Sequence, residues 1–314
     1  MQTKNPPLGF DRPVQLPTNP AERLEWQKAN RTWWEQNPMR YDWRESIGAT
    51  PQSREFFEEI DKRFFTDSKV YMPYQRLPFE TLIDFDNLSN KDVLEIGVGC
   101  GSLAGLLVKH ARSFVGIDLT EYATCTTTER LRALNLPDKT WRIVRMDAES
   151  LQFNEASFDF IWSWGVIHHS SDTGQVLREM SRVLRPGGTA VTMVYHRGLW
   201  NYYVCHGLLW GVLTGTLFRT QSIHKTVQAH TDGAIARYFT TDEWRSLASE
   251  SFDVEKISIC GSKSDVVPLP GGTNLKANAM RLFPDFLSRF FDKSTQDGHI
   301  SDFETSKKID LTKN

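Results

Sequence analysis

The chain has 314 residues, enough for one large α/β domain with additions or two small domains, and its 39% apolar and 24% charged content is that of an ordinary globular protein with a sizeable core. A formal net charge of −2 gives no global basic field, which argues against a nucleic-acid partner. Four widely spaced cysteines (Cys100, Cys125, Cys205, Cys260) fit no metal-ligand pattern and read as reduced thiols; Met1 to Pro20 lacks the basic stub and apolar run of a secretory start. A cytoplasmic protein without a resident metal is expected.

Residues 1–20 form a proline-punctuated lead-in, and 21–87 a helical N-terminal cap. Within the cap, helices are predicted over Ala21–Gln36, Ser53–Phe65 and Phe79–Asp86. From residue 88 strands and helices alternate. Strand Asp92–Ile96 precedes helix Ser102–Ala111, and strand Ser113–Ile117 precedes a helix over about Thr120–Leu134. Strands Trp141–Met146 and Phe158–Ser163 follow, then helix Thr173–Leu184, stopped by Pro186-Gly187-Gly188, and strand Thr189–Tyr195. This alternation implies a parallel sheet covered on both faces. An insertion fills about 196–240; beyond it come helix Thr241–Ser249, strand Val254–Cys260, helix Leu275–Phe291 broken at Pro284, and a strand near His299–Thr305.

Within the insertion, Gly198–Phe218 carries no acidic, Lys or Arg residue and is as long as a spanning helix. Asn201, His206, four glycines and its place between two strands argue against a span. It is expected as a buried or lid helix, with interfacial membrane contact as the intermediate reading.

The strongest chemical signal is Val93-Leu94-Glu95-Ile96-Gly97-Val98-Gly99-Cys100-Gly101. Glycines let the chain turn sharply and bring backbone amides up to a ligand, at the carboxyl end of a strand where open α/β sheets bind. Gly99, Gly101 and Ala104 also fit the dinucleotide pattern G-x-G-x-x-A, so an NAD(P)-dependent oxidoreductase is the rival reading. Glu95 decides against it: a carboxylate is unfavourable beside a pyrophosphate and favourable beside an ammonium. Asp118, ending the next strand ahead of Leu119, is placed to accept ribose hydroxyls of either nucleotide. Asp147 and Ala148 follow the third strand, where a carboxylate and an N–H can meet an adenine edge. Phe158–Ser170 and Glu179–Gly188 complete the set.

With these motifs in this order over about Asp92 to Tyr195, the chain resembles the class I S-adenosylmethionine (SAM)-dependent methyltransferases, in the small-molecule branch related to the ubiquinone and menaquinone methylases (methyltransferase type 11). The resemblance implies a Rossmann-like seven-stranded sheet of order 3-2-1-4-5-7-6 with strand 7 antiparallel. It implies SAM contacts from Glu95, Gly97, Gly99, Gly101, Asp118, Leu119, Asp147, Ala148, Ser163 and Trp164.

Methyl transfer from a sulfonium is an in-line displacement that needs positioning and, for an oxygen or nitrogen nucleophile, a base. His168 and His169 after the fourth strand, and His196 after the fifth, are the candidates. Aromatic residues crowd the regions expected to close the site: Trp33, Trp34, Tyr41 and Trp43 on the N-terminal side, and Tyr195, Trp200 and Tyr202 in the insertion. They point to an apolar or aromatic small-molecule acceptor, with rings also able to stabilise positive charge. A non-catalytic SAM-binding scaffold is a further alternative. RNA and DNA-base methylation are disfavoured because Ser163-Trp164-Gly165-Val166 replaces the Asn/Asp-Pro-Pro-Tyr tetrad.

Overall fold

The computed structural model describes residues 11–42, 45–136 and 140–260, and the backbone of 303–310. Helix α1 (Pro20–Gln36) starts where theory puts a start: Pro20 at its first position and the Asn19 side chain accepting from Glu22 N. Ser53 caps α2 (Arg54–Tyr71) in the same way.

The Rossmann-like α/β core then begins. Strand β1 (Asp92–Ile96) leads to α3 (Ser102–His110), β2 (Ser113–Asp118) to α4 (Glu121–Ala133), and β3 (Thr140–Arg145) through a loop to β4 (Phe158–Trp164). Helix α5 (Thr173–Val183) feeds β5 (Leu184–His196). Strands β1–β5 pair in parallel in the order 3-2-1-4-5, with β1 flanked by β2 and β4. Beyond β5 lie β8 (Phe303–Asp310) and β7 (Ser258–Cys260), the former antiparallel to both β5 and β7.

One apolar layer, with Leu94, Ile161, Val176, Leu177, Met180 and Trp244, fills the side of α5 and α9 (Thr241–Ser249). The other, with Leu103, Leu107, Phe114, Phe79 and Trp162, fills the side of α3. Both faces of the sheet are therefore covered, which explains why the central strands β1 and β4 bury residues in succession, while the edge strand β3 stays half-exposed.

The insertion after β5 is helical. Leu199–Trp210 is wound as a π-helix and runs on through α6 (Gly211–Leu213), α7 (Thr216–Thr220) and α8 (Ile223–His230). A short strand, β6 (Tyr238–Phe239), pairs in parallel with Tyr195 and His196 and returns the chain to the sheet.

Several expectations need correction. Phe79–Asp86 is not an α-helix: Phe79 takes a left-handed backbone (φ 63°) to drive its ring into the core, and only a 3-10 segment, Phe85–Asn90, follows. Helix α5 ends at Val183, ahead of Pro186-Gly187-Gly188, and those three residues do not delay the strand. β5 already begins at Leu184, and the three residues bulge out between the Phe158–Leu184 and Phe160–Thr189 pairs, with Gly187 at φ 76°. Strand β7 (Ser258–Cys260) starts at Ser258 rather than at Val254, and the last strand lies at Phe303–Asp310 rather than near His299–Thr305. The helix expected over 275–291 and Trp43 lie outside the described residues. Among the described residues no helix is long and apolar enough to cross a membrane.

Candidate functional site

At the carboxyl end of β1 the chain makes three left-handed steps, Gly97 (φ 82°), Gly99 (φ 53°) and Gly101 (φ 78°). They do different work. A Cβ on Gly97 would lie 2.2 Å from Val166, and one on Gly101 2.9 Å from Thr127, so these two allow close packing of the turn. A Cβ on Gly99 would meet nothing within 4 Å. Gly99 therefore faces open space beside the strand ends, the place where a ligand can approach the backbone.

Glu95 stands below this turn, 4% exposed, and its Oε2 has no hydrogen-bond partner. Burial, with the Asp118 carboxylate adding to it, pushes its pKa well above the usual carboxylate range. A buried carboxyl with an unpartnered oxygen is costly unless a donor or a cation completes it. Asp118 ends β2 and is held by three bonds: Thr120 N (3.0 Å) and Oγ1 (2.8 Å) donate to Oδ1, and Gly99 N (3.2 Å) donates to Oδ2. Burial raises its pKa too, against those donors. The next residue, half-buried Leu119, accepts from Arg145 Nε through its carbonyl.

After β3, Asp147 accepts from its own loop at Glu149 N (2.9 Å) and from Gln27 Nε2 of α1 (2.8 Å). Ala148 packs on the core beside it. After β4, the buried Ser163 hydroxyl donates to Ile96 O (3.3 Å) and ties β4 to the foot of the glycine turn. The ring of Trp164 is committed elsewhere: it stacks on Trp162 (centroids 5.1 Å) and meets Phe79 edge-on (4.8 Å).

The histidines separate into two groups. His168 and His169 sit on a 3-10 turn after β4, buried, with ring centroids 4.1 Å apart. His168 lies 3.9 Å from the Tyr195 ring, and burial holds its pKa well below that of a free imidazole. His169 contacts Ile235 O through Nδ1 at 2.6 Å, and Trp34 edge-on at 5.0 Å. His196 does not join them. It follows Tyr195 along β5, so its side chain leaves the opposite face, where Nδ1 meets Phe239 O at 3.2 Å.

The predicted aromatic wall is likewise divided. Trp33 packs on Trp34 (4.6 Å); Trp34 and Tyr195 meet the histidines directly, and Tyr202 joins them through Tyr238, with Tyr195–Tyr238 at 5.1 Å and Tyr202–Tyr238 at 4.8 Å. Tyr41 instead packs against Phe64 of α2 (5.2 Å). Trp200 is half-buried in the π-helical segment.

The sequence reading missed the polar face of α1. Arg23 binds Glu149 (2.7 Å), Gln27 bridges Asp147 and Ser171 N, and Glu35 accepts from Glu121 N and Tyr122 N (2.8 Å each) at the start of α4. Helix α1 thus straps the loops after β2, β3 and β4. The signal was present as Arg23, Gln27, Asn30 and Trp34 at helical spacing, all on one face. Arg237 was missed as well. Its guanidinium, 1% exposed, donates to the carbonyls of Gln15, Ser170 and Ser171, joining lead-in, insertion and post-β4 loop.

Residues 94–192 match the family model described as "Methyltransferase domain". Among curated proteins, the methyltransferase GfsG of Streptomyces halstedii is 35% identical over 108 residues, covering 34% of this chain and 38% of that protein. The ubiquinone biosynthesis O-methyltransferase of Hydrogenovibrio crunogenus is 23% identical over 157 residues, 49% of this chain and 64% of that one. The phthiotriol/phenolphthiotriol dimycocerosates methyltransferase of Mycobacterium tuberculosis is 36% identical over 106 residues, 32% and 37% respectively. The chain thus spans less than two thirds of these relatives' own length. Among solved structures, geranyl diphosphate C-methyltransferase from Streptomyces coelicolor, in complex with Mg2+, geranyl diphosphate and S-adenosyl-L-homocysteine, shares the fold with a TM-score of 0.52 at 16% identity, over 93% of this chain and 99% of that one.

Proposed function

We propose that the class I SAM-dependent methyltransferase domain carried by this chain transfers the methyl group of SAM to a small, apolar or aromatic metabolite, with His169 as the base when the acceptor is an O–H or N–H. SAM is the cofactor of the domain, and its sulfonium supplies an electrophilic methyl group. The residues present fit it. The unpartnered Oε2 of buried Glu95 suits the ammonium of the methionyl end, and the open side of Gly99 admits the chain beside it. Asp118 keeps acceptor capacity for ribose hydroxyls, because each carboxylate oxygen has two lone pairs. Asp147 and Ala148 are assigned to the adenine edge.

The single observation that carries this reading is Glu95. A dinucleotide brings a pyrophosphate to this bend, and a buried carboxyl there would repel it; a cation relieves the burial. The NAD(P)-dependent reading fails on that sign.

The acceptor side rests on the cluster of Trp34, His168, His169, Tyr195, Tyr202 and Tyr238. Rings of this kind exclude water and bury apolar surface, which suits an acceptor with little charge. Ile235 O can only accept, so Nδ1 of His169 donates, and in the neutral ring Nε2 carries the basic lone pair. His169 is thereby oriented to receive a proton.

The test is incubation of the full chain with methyl-labelled SAM and matched apolar and polar fractions of small metabolites. Label is expected in an apolar product. Label confined to polar acceptors overturns the acceptor class, and no transfer to any fraction favours the scaffold reading.

A further inference from the structure

Along Leu199–Leu213 the insertion buries one large ring, Tyr202, against Val227, Ala236 and Tyr238. The rest of its buried face is small or polar, Asn201, Cys205, Gly207 and Gly211, packed so tightly on α8 that a Cβ at Gly207 would lie 2.5 Å from Ile223 and one at Gly211 2.7 Å from Thr226. Its outward face carries Leu199, Leu208, Leu209, Val212, Leu213 and, on α7, Phe218. Leu213 and Phe218 are 64% and 70% exposed. Leu208 and Leu209 each find a partner four residues on, in Val212 and Leu213, so these four form one stripe. Among the described residues only Leu16 and Leu24 are large, apolar and exposed elsewhere. A helical insertion stabilised only by its own core would be patterned the other way round, and a contiguous apolar face of this kind marks an interaction surface.

Charge narrows the partner. No Asp or Glu occurs between Glu179 and Asp232, while Arg219 is exposed beside Phe218 and Lys225 follows, pairing with Asp11 at 2.7 Å. The half-buried Trp210 lies between the Leu208–Leu209 and Val212–Leu213 pairs, a residue suited to the depth where headgroups meet acyl chains. An apolar stripe with the exposed cation Arg219 beside Phe218 and no acid in its own segment suits an anionic surface with an apolar interior. The short helical pieces cannot cross it.

We propose that residues 199–218 dock this chain peripherally on an anionic lipid bilayer. The inference is independent of which molecule is methylated. Binding combines insertion of the outward leucines and Phe218 with attraction of Arg219 to lipid phosphate.

The experiment is vesicle flotation of the full chain, with phosphatidylcholine vesicles and with phosphatidylcholine–phosphatidylglycerol vesicles, and SAM affinity measured in parallel as a check on folding. The wild-type chain is expected to float with the anionic vesicles and far less with the neutral ones. The double variant L213E/F218E is expected to lose about tenfold or more of that binding with SAM affinity unchanged. Should it lose SAM affinity as well, Arg219→Glu, at an exposed site, carries the test by lowering binding to anionic vesicles alone. Failure of the wild-type chain to float, or equal flotation of the wild-type chain, L213E/F218E and Arg219→Glu, overturns the proposal. So does a dimer in sedimentation velocity that L213E/F218E dissolves, because a second copy then covers the face.

Discussion

His169 Nδ1 lies 2.6 Å from the carbonyl oxygen of Ile235, and that one contact decides which imidazole nitrogen is basic. The seat is tight. A Cβ on Gly233 (φ 87°) would lie 2.6 Å from the same Nδ1, so only glycine lets the loop approach the ring. Replacement of His169 by Gln is expected to lower turnover by about 10²–10⁴-fold on an O–H or N–H acceptor. SAM affinity should be unaltered, as read by calorimetry. Gly233→Ala should lower turnover in the same sense by shifting the ring. Unchanged turnover in His169→Gln makes the residue structural.

Glu95 predicts a proton signature. Its pKa is raised in the fold by burial and by Asp118, so its neutral form favours folding. That contribution is fully present below the carboxyl's ordinary value and is lost as pH rises through the folded value. Glu95→Gln should therefore raise the melting temperature of the ligand-free protein at neutral pH while weakening SAM binding. Binding of the cation draws Glu95 into its charged form, so wild-type titrations in buffers of different ionisation enthalpy should show net proton release that Glu95→Gln lacks.

Two glycines two residues apart should behave differently. Gly97→Ala forces a Cβ into Val166, and overpacking of this kind costs about 1–3 kcal/mol, to be read in urea denaturation. Gly99→Ala meets no neighbour and should cost only the roughly 1–2 kcal/mol of a left-handed alanine. Its effect should fall on SAM affinity instead. The reverse ranking places the ligand elsewhere on the loop.

Helix α1 holds the loops after β2 and β3 through Glu35 and Gln27. The double variant Gln27→Ala/Glu35→Ala should speed SAM dissociation in stopped flow, with a small change in melting temperature because α1 remains anchored by buried Trp26. Slower or unaltered dissociation contradicts a strap that must lift for exchange.

His168 gives a stability–pH prediction of opposite sign to Glu95. Burial lowers its pKa in the fold, so it contributes stability above the free imidazole value, and that contribution is lost as pH falls. His168→Gln should flatten the decline of melting temperature below about pH 6.5. An identical decline in both proteins means another group controls it.

The parallel half of the sheet was legible because β1, β2 and β4 are short runs rich in apolar residues that end at a glycine or an acid, and α4 and α5 open on the caps Thr120 and Asp172; Asp92–Ile96 and Thr241–Ser249 are read to the residue. Phe79 was not, since no local propensity announces a phenylalanine that adopts a left-handed backbone to fill the core. The glycine turn was legible as a turn, but the division of labour among its three glycines depends on Val166 and Thr127, distant in sequence. His196 looked equivalent to His168 and His169 along the chain. The alternation of β5 sends it to the other face, and its pairing with Phe239 across a forty-residue insertion fixes it there. The α1 strap was hidden because its polar residues mean nothing until the loops they bind are assembled.

Calorimetric titration of the full chain with SAM, with NADH as the rival ligand and Gly99→Arg as the control variant, tests the central assignment most directly. One SAM bound per chain, no heat with NADH, and loss of SAM binding in a folded Gly99→Arg protein are the predicted results. NADH binding without SAM, or SAM affinity retained by Gly99→Arg, would contradict the placement of a sulfonium nucleoside between Glu95, Gly99 and Asp118.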